Sequence, residues 1–227
     1  WPVRETKRKA IRTFSNAIYE SEQCPRYVFN GSQPQQYEFI KEQSPAFFEK
    51  IKQAVKNGNI EPQGGMWVEP DTNLPCGESL IRQCFYGKTY FRKEFGKDVK
   101  TLWLPDVFGY TAALPQIIKK CGMDNFLTIK LSWNTVNQFP YHTFLWQGLG
   151  GSEVLVHMPP EGDYNSNATP YAFDKISKKY KEKAVSKIAF MPFGIGDGGG
   201  GPGEYHVEMA KRCEKLPYPA ESTKDFR

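Results

Sequence analysis

The 227-residue chain is poor in the residues that many metal, redox and membrane functions require. Its three histidines form no H-x-H or H-x-x-x-H pair, so the sequence shows no zinc site of its own making. The five cysteines, Cys24, Cys76, Cys84, Cys121 and Cys213, are odd in number and contain no CxxC pair. That argues against a zinc knuckle or a disulfide framework and favours reduced thiols in a cytoplasmic setting. No apolar run reaches the length of a membrane span, and no signal peptide opens the chain, so no membrane partner is expected. The glycine run GIGDGGGGPG lacks the Lys-Ser/Thr pair of a phosphate loop and continues as Pro202-Gly203-Glu204, which turns the reading away from nucleotides. Net charge is +5, but the basic residues are scattered over helix faces, as at Lys7, Arg8, Lys9 and Arg12, so they read as solvated surface and no nucleic acid is expected as a partner.

What is present is a soluble, globular composition with 39% hydrophobic and 24% charged residues. Val3, Ala10, Ile11, Phe14, Ala17 and Ile18 recur at helical spacing, with Pro2 suited to a first turn. A short strand is expected at 27–30. A helix over 35–55, interrupted near Pro45, ends at the helix-stop pair Asn57-Gly58. Strands are expected at 60–68, 101–104, 126–131 and 188–193, with helices between them that stop at Gly96 and Gly122. Two further strands, 143–146 and 152–157, joined by Gly148–Gly151, read as a β-hairpin insertion. The alternation of strand and helix predicts an α/β fold with parallel pairing and right-handed crossovers. No repeat or linker divides the chain, so one partial domain over 1–227 is expected. The abrupt start at Trp1 and the end at Ser222–Arg227 read as those of a piece of a longer protein.

Acidic residues gather just after the expected strands, at Glu69 and Asp71, Asp106, Asp163 and Asp197. In an α/β arrangement such positions share one rim, where these folds keep their chemistry. Asp106 follows Leu102, Trp103 and Leu104 and reads as a catalytic carboxylate. Paired carboxylates are the tools of glycoside hydrolysis. Trp67, Phe108, Tyr110, Trp133 and Tyr164 are aromatic surfaces of the kind that pack against sugar C–H faces. Each loop Asp also has a plainer use, as a helix cap or turn former.

The blocks WPVRETKRK, GGMWVEPDTNLPCGES, LWLPDVFGYTAALPQI, KLSWN, FPYHTFLWQG, VLVHMPPEGDYN and FGIGDGGGGP run in order along nearly the whole chain. Together they resemble glycoside hydrolase family 38, the α-mannosidases, in the cytosolic and bacterial branch. The resemblance implies an irregular parallel β/α barrel of about seven strands, truncated here at its first strand. It also implies a retaining, exo-acting hydrolase that removes terminal α-mannosyl residues from oligosaccharides with the help of zinc. Carried over by position, Asp106 is the nucleophile and a zinc ligand, and Asp197 the general acid/base. Lys130, Trp133, Asp163 and Tyr164 fall in blocks that line the substrate pocket. The family's His-x-Asp zinc pair would precede Trp1 and a further His ligand would follow this region, leaving Asp106 alone of four ligands. Cys76 stands where the family usually has Ser. The resemblance therefore implies a segment inactive by itself, poorly stable through unpaired strand edges, with any homo-oligomer contacts outside it. A non-catalytic carbohydrate-binding relative is the alternative.

Overall fold

The computed structural model describes residues 1–216; the end read at Ser222–Arg227 lies outside the described residues. The chain opens with helix α1 (Val3–Gln23), which turns Ala10, Phe14 and Ala17 inward. Strand β1 (Phe29–Gly31) leads into α2 (Pro34–Gln43) and α3 (Pro45–Asn57). Pro34 and Pro45 each occupy a first turn, where a missing N–H leaves no bond unmade. Helix α3 stops where Gly58 takes φ +83°, the left-handed cap that glycine adopts without penalty.

Strand β2 (Ile60–Pro62) then pairs with β1 in parallel. It is much shorter than the stretch 60–68 expected from sequence, because Gly64 and Gly65 take φ +92° and +71° and bend the chain away. Helix α4 (Gly77–Phe95) follows, then β3 (Thr101–Trp103), α5 (Leu114–Lys120) and β4 (Asn125–Leu127). The continuation expected to extend β4 to residue 131 instead coils into a 3-10 turn over Lys130–Trp133.

Strands β5 (Thr143–Gln147) and β6 (Glu153–His157) form the expected hairpin, but it is no appendage. Strand β6 pairs in parallel with β4, giving a four-stranded order β3-β4-β6-β5 in which only β5 runs antiparallel. A parallel bridge between Gly64 and Leu102 ties the β1-β2 pair to β3. All five parallel strands therefore end on one side, and among the described residues the sheet does not close into a barrel. Helices α6 (Pro170–Lys179) and α7 (Glu204–Cys213) complete the fold. The segment 188–193 makes no strand: Pro192 has no N–H for a ladder, and a single Ser166–Phe193 bridge is all that forms.

There are two main cores among the described residues. One packs Leu80 and Cys84 with Leu102, Leu114, Ile118, Phe126 and Val156. The other packs α1, α2, α3 and the end of α4 through Phe14, Tyr37, Ile40, Phe48, Ile51 and Phe91. Gly87 lets α4 lie against the 64–66 backbone; a Cβ there would fall 2.4 Å from the Gly65 carbonyl oxygen.

Candidate active site

Beyond the carboxyl ends of β1 to β4 stand Ser32, Glu69, Asp106 and Lys130, one polar residue after each parallel strand. Asp106 reaches solvent, and its Oδ1 receives the Lys130 ammonium at 2.7 Å. Lys130 is buried, 7% exposed, and its charge is enclosed by aromatic faces rather than water. Nζ lies 3.2 Å from the Trp133 ring centre, 4.8 Å from Phe108 and 5.3 Å from Tyr164. Such faces offer a cation negative potential in place of hydration.

Glu69 is largely enclosed, and its Oε1 accepts a 2.8 Å bond from the Ser32 hydroxyl. Burial pushes its carboxyl up to about 7, helped by the nearby Asp106 charge and opposed by the hydroxyl. Asp71 accepts from the backbone N–H groups of Asn73 and Leu74, which makes it a turn former.

After β6 the chain returns over this rim. Asp163 accepts from the N–H groups of Tyr164 and Asn165 at 2.8 and 3.2 Å, and this turn holds Tyr164 over Lys130. The Tyr164 hydroxyl donates to Asp197 Oδ1 at 3.4 Å. Burial, followed by the charges of Asp106 and Asp197, pushes the phenol up to about 12, so it remains a donor at neutral pH. Asp106, Lys130, Trp133, Asp163, Tyr164 and Asp197 thus form one group, with Tyr164 between the two exposed carboxylates. A cleft of about 490 Å³ opens beside it, lined by Phe108, Trp133, Asn134, Asn137, Gln138 and Phe139.

Other aromatic candidates face elsewhere. Trp67 packs edge-on against Tyr90 and donates its indole N–H to Gln35, while Tyr110 bonds the Leu104 carbonyl and Thr128. Lys9 and Arg12, expected as solvated surface, instead hold the Gly198 carbonyl at 3.2 and 3.0 Å. The signal for this was a polar stripe Lys9, Arg12, Thr13 and Asn16, flanking the inward Ala10, Phe14 and Ala17. Ser32 carried no signal beyond its place after a strand.

Among the described residues no three His, Cys, Asp or Glu side chains converge as a metal site. His157 is occupied at both ring nitrogens, by Thr143 Oγ1 at 2.9 Å and the Phe190 N–H at 3.1 Å. Asp106, the ligand that the resemblance implies, is not part of such a group among the described residues.

The model of the glycosyl hydrolases family 38 N-terminal domain matches residues 1–225. The chain belongs to that family. It is 44% identical over 212 residues to the human (Homo sapiens) alpha-mannosidase 2C1, covering 93% of this chain and 20% of that protein. It is 41% identical over 217 residues to an alpha-mannosidase of Saccharomyces cerevisiae, covering 95% of the chain and 20% of the relative. Alpha-mannosidase G of Dictyostelium discoideum is 46% identical over 202 residues, 89% of this chain and 19% of that one. The chain thus spans about a fifth of the length of these curated family 38 relatives. A crystal structure of an alpha-mannosidase from Enterococcus faecalis superposes with a TM-score of 0.77 at 18% identity, covering 96% of this chain and 25% of that one. At that identity the likeness speaks for the family 38 fold.

Proposed function

We propose that the protein carrying this segment is a retaining α-mannosidase that removes terminal mannosyl residues from oligosaccharides, with Asp106 as nucleophile and Asp197 as general acid/base. The observation that carries the reading is that both carboxylates are open to solvent and both bear on Tyr164, Asp197 by accepting from its hydroxyl and Asp106 by its charge. Family membership supplies the glycosidase context.

In this mechanism the Asp106 carboxylate attacks the anomeric carbon while Asp197 protonates the departing glycosidic oxygen. Asp197 then takes a proton from water, which releases mannose from Asp106. Lys130 holds one Asp106 oxygen and so fixes the direction in which the other is presented. Tyr164 and Trp133 supply surfaces for the sugar ring, and the Asp163 turn sets the height of Tyr164. Zinc, as the family resemblance implies it, supplies Lewis-acid polarisation of sugar oxygens when bound. Asp106 is the ligand this chain would lend, with the others outside residues 1–227. We accordingly expect the isolated segment to be inactive, and the complete domain to close the sheet as a barrel. The five free thiols suit a reducing, cytoplasmic compartment.

The test is to react the full-length natural protein with a fluorinated mannoside that traps the glycosyl-enzyme, then map the adduct. Label on the Asp106 peptide is expected, together with a loss of turnover of about 10⁴-fold or more in Asp106→Asn. Label on a different carboxylate would overturn the assignment.

A further inference from the structure

Asp197 sits on a loop of glycines, the least rigid backbone a catalytic acid could be given. Gly199, Gly200 and Gly201 have φ +64°, +107° and +70°, conformations that other residues rarely hold. What holds this loop comes from the opposite end of the chain. Gly200 is buried, and both its backbone groups need partners. Its N–H donates to Thr13 Oγ1 at 2.9 Å and its carbonyl accepts from Asn16 Nδ2 at 2.9 Å. One residue after Asp197, the Gly198 carbonyl accepts from Arg12 at 3.0 Å and Lys9 at 3.2 Å. Thr13 is itself fixed by donating to the Lys9 carbonyl at 2.9 Å. On the other flank, Tyr164 and Asn165 close against Gly196, where a Cβ would meet them at 3.0 and 2.8 Å.

We propose that Arg12, Thr13 and Asn16 are positioning residues: one face of α1 clamps the glycine loop and thereby sets the aim of the Asp197 carboxyl at the leaving oxygen. This rests on Asp197 as the general acid of the function proposed above. The spacing is what a clamp requires, since residues 9, 12, 13 and 16 share one helix face. A packed helix held by the Phe14 core is rigid, so it passes that rigidity to the glycine run 198–201, which has no side chains of its own. The glycines are small enough to let α1 approach: a Cβ on Gly200 would lie 3.3 Å from Arg12.

The experiment uses the full-length natural protein and two substrates, a dinitrophenyl mannoside that departs without protonation and an alkyl mannoside that needs it. Thr13→Val and Asn16→Ala should each lower kcat/KM, which reports formation of the glycosyl-enzyme, about tenfold on the alkyl mannoside, a fraction of the general-acid contribution. On the dinitrophenyl mannoside the loss in kcat/KM should stay below about twofold. Thr13→Ser, which keeps the hydroxyl, should restore the alkyl rate. In an Asp197→Asn background the same substitutions should cost nothing further, because the group they aim is gone. Equal losses on both substrates, or losses that persist without the Asp197 carboxylate, would overturn the clamp. If Asp197→Asn alone affects both substrates equally, the general-acid assignment fails instead. Should Thr13→Val not fold, Arg12→Ala, at the exposed end of the clamp, carries the same comparison of substrates.

Discussion

Acid should loosen this protein through one histidine. His157 ends β6 and is wedged between β5 and the segment that leads to the Asp197 loop. Nε2 accepts the Phe190 N–H, so the ring is neutral and Nδ1 carries the proton towards Thr143 Oγ1. Burial, and after it the neighbouring His142, lowers its pKa from 6.5 to about 4. A second proton would point at an N–H donor with no acceptor to receive it. The sign follows from linkage. Above pH 6.5 both folded and unfolded forms are neutral and this histidine costs nothing. As pH falls from 6.5 towards 4 the unfolded chain takes up a proton that the folded one refuses, and stability declines. Each pH unit of that window is worth about 1.4 kcal/mol, so the full loss from this group is about 3 kcal/mol. The assay is urea unfolding at pH 7.5, 6.0, 5.0 and 4.2, comparing the native protein with His157→Gln, whose side-chain oxygen still accepts from Phe190. The native protein should lose about 3 kcal/mol more than the variant across that range. Parallel curves would refute the reasoning, because the two proteins would then bind protons alike.

Further outcomes follow from other contacts. Lys130→Met keeps the packing but removes the ammonium from Asp106, and should lower kcat/KM about 10²-fold with the unfolding midpoint little changed; unchanged kcat/KM would remove Lys130 from the site. Gly87→Ala drives a methyl into the Gly65 carbonyl and should destabilise by about 1–3 kcal/mol, read by denaturant titration; an unchanged midpoint would mean that α4 does not approach the 64–66 backbone this closely. Cys76 is exposed at the start of α4, its thiol lowered by the Ser79 hydroxyl, and the half-buried Cys121 thiol is lowered by the neighbouring Cys84 thiol. These two should alkylate at neutral pH before the buried Cys24, Cys84 and Cys213, as peptide mapping would show.

The parts of this architecture that were legible in the sequence are those fixed by local chemistry. The apolar spacing of α1 and the glycine stops at Gly58 and Gly96, with φ +83° and +66°, needed nothing from the rest of the fold. Asp106, Lys130 and Asp163 come to one side because they follow the parallel strands β3, β4 and β6, whereas Asp197 follows no strand. What was not legible depended on distant partners. The hairpin reads as an insertion because its own turn is local, whereas the β4-β6 pairing that makes it integral joins residues 125–127 to 155–157. The stretch 60–68 is apolar enough for a strand, yet two glycines at positive φ decide otherwise. Lys9 and Arg12 look solvated from composition, and only the return of the chain near residue 198 gives them work.

The rim also explains why two short sheets suffice to present a carboxylate pair. Asp106 is placed by β3, which is joined on one side to β4 through the Leu102–Phe126 register and on the other to Gly64. Side chains alternate along a strand, so a one-residue slip at either junction would exchange the buried Leu102 and Leu104 for the flanking Trp103. That exchange would carry the turn at Pro105 and Asp106 away from Lys130, which β4 places independently. The Asp106–Lys130 ion pair is therefore a readout of register as well as a feature of the site. Asp197 has no such strand to place it. It depends on α1 from one side and Tyr164 from the other, so the two carboxylates are positioned by unrelated parts of the fold and should fail separately under mutation.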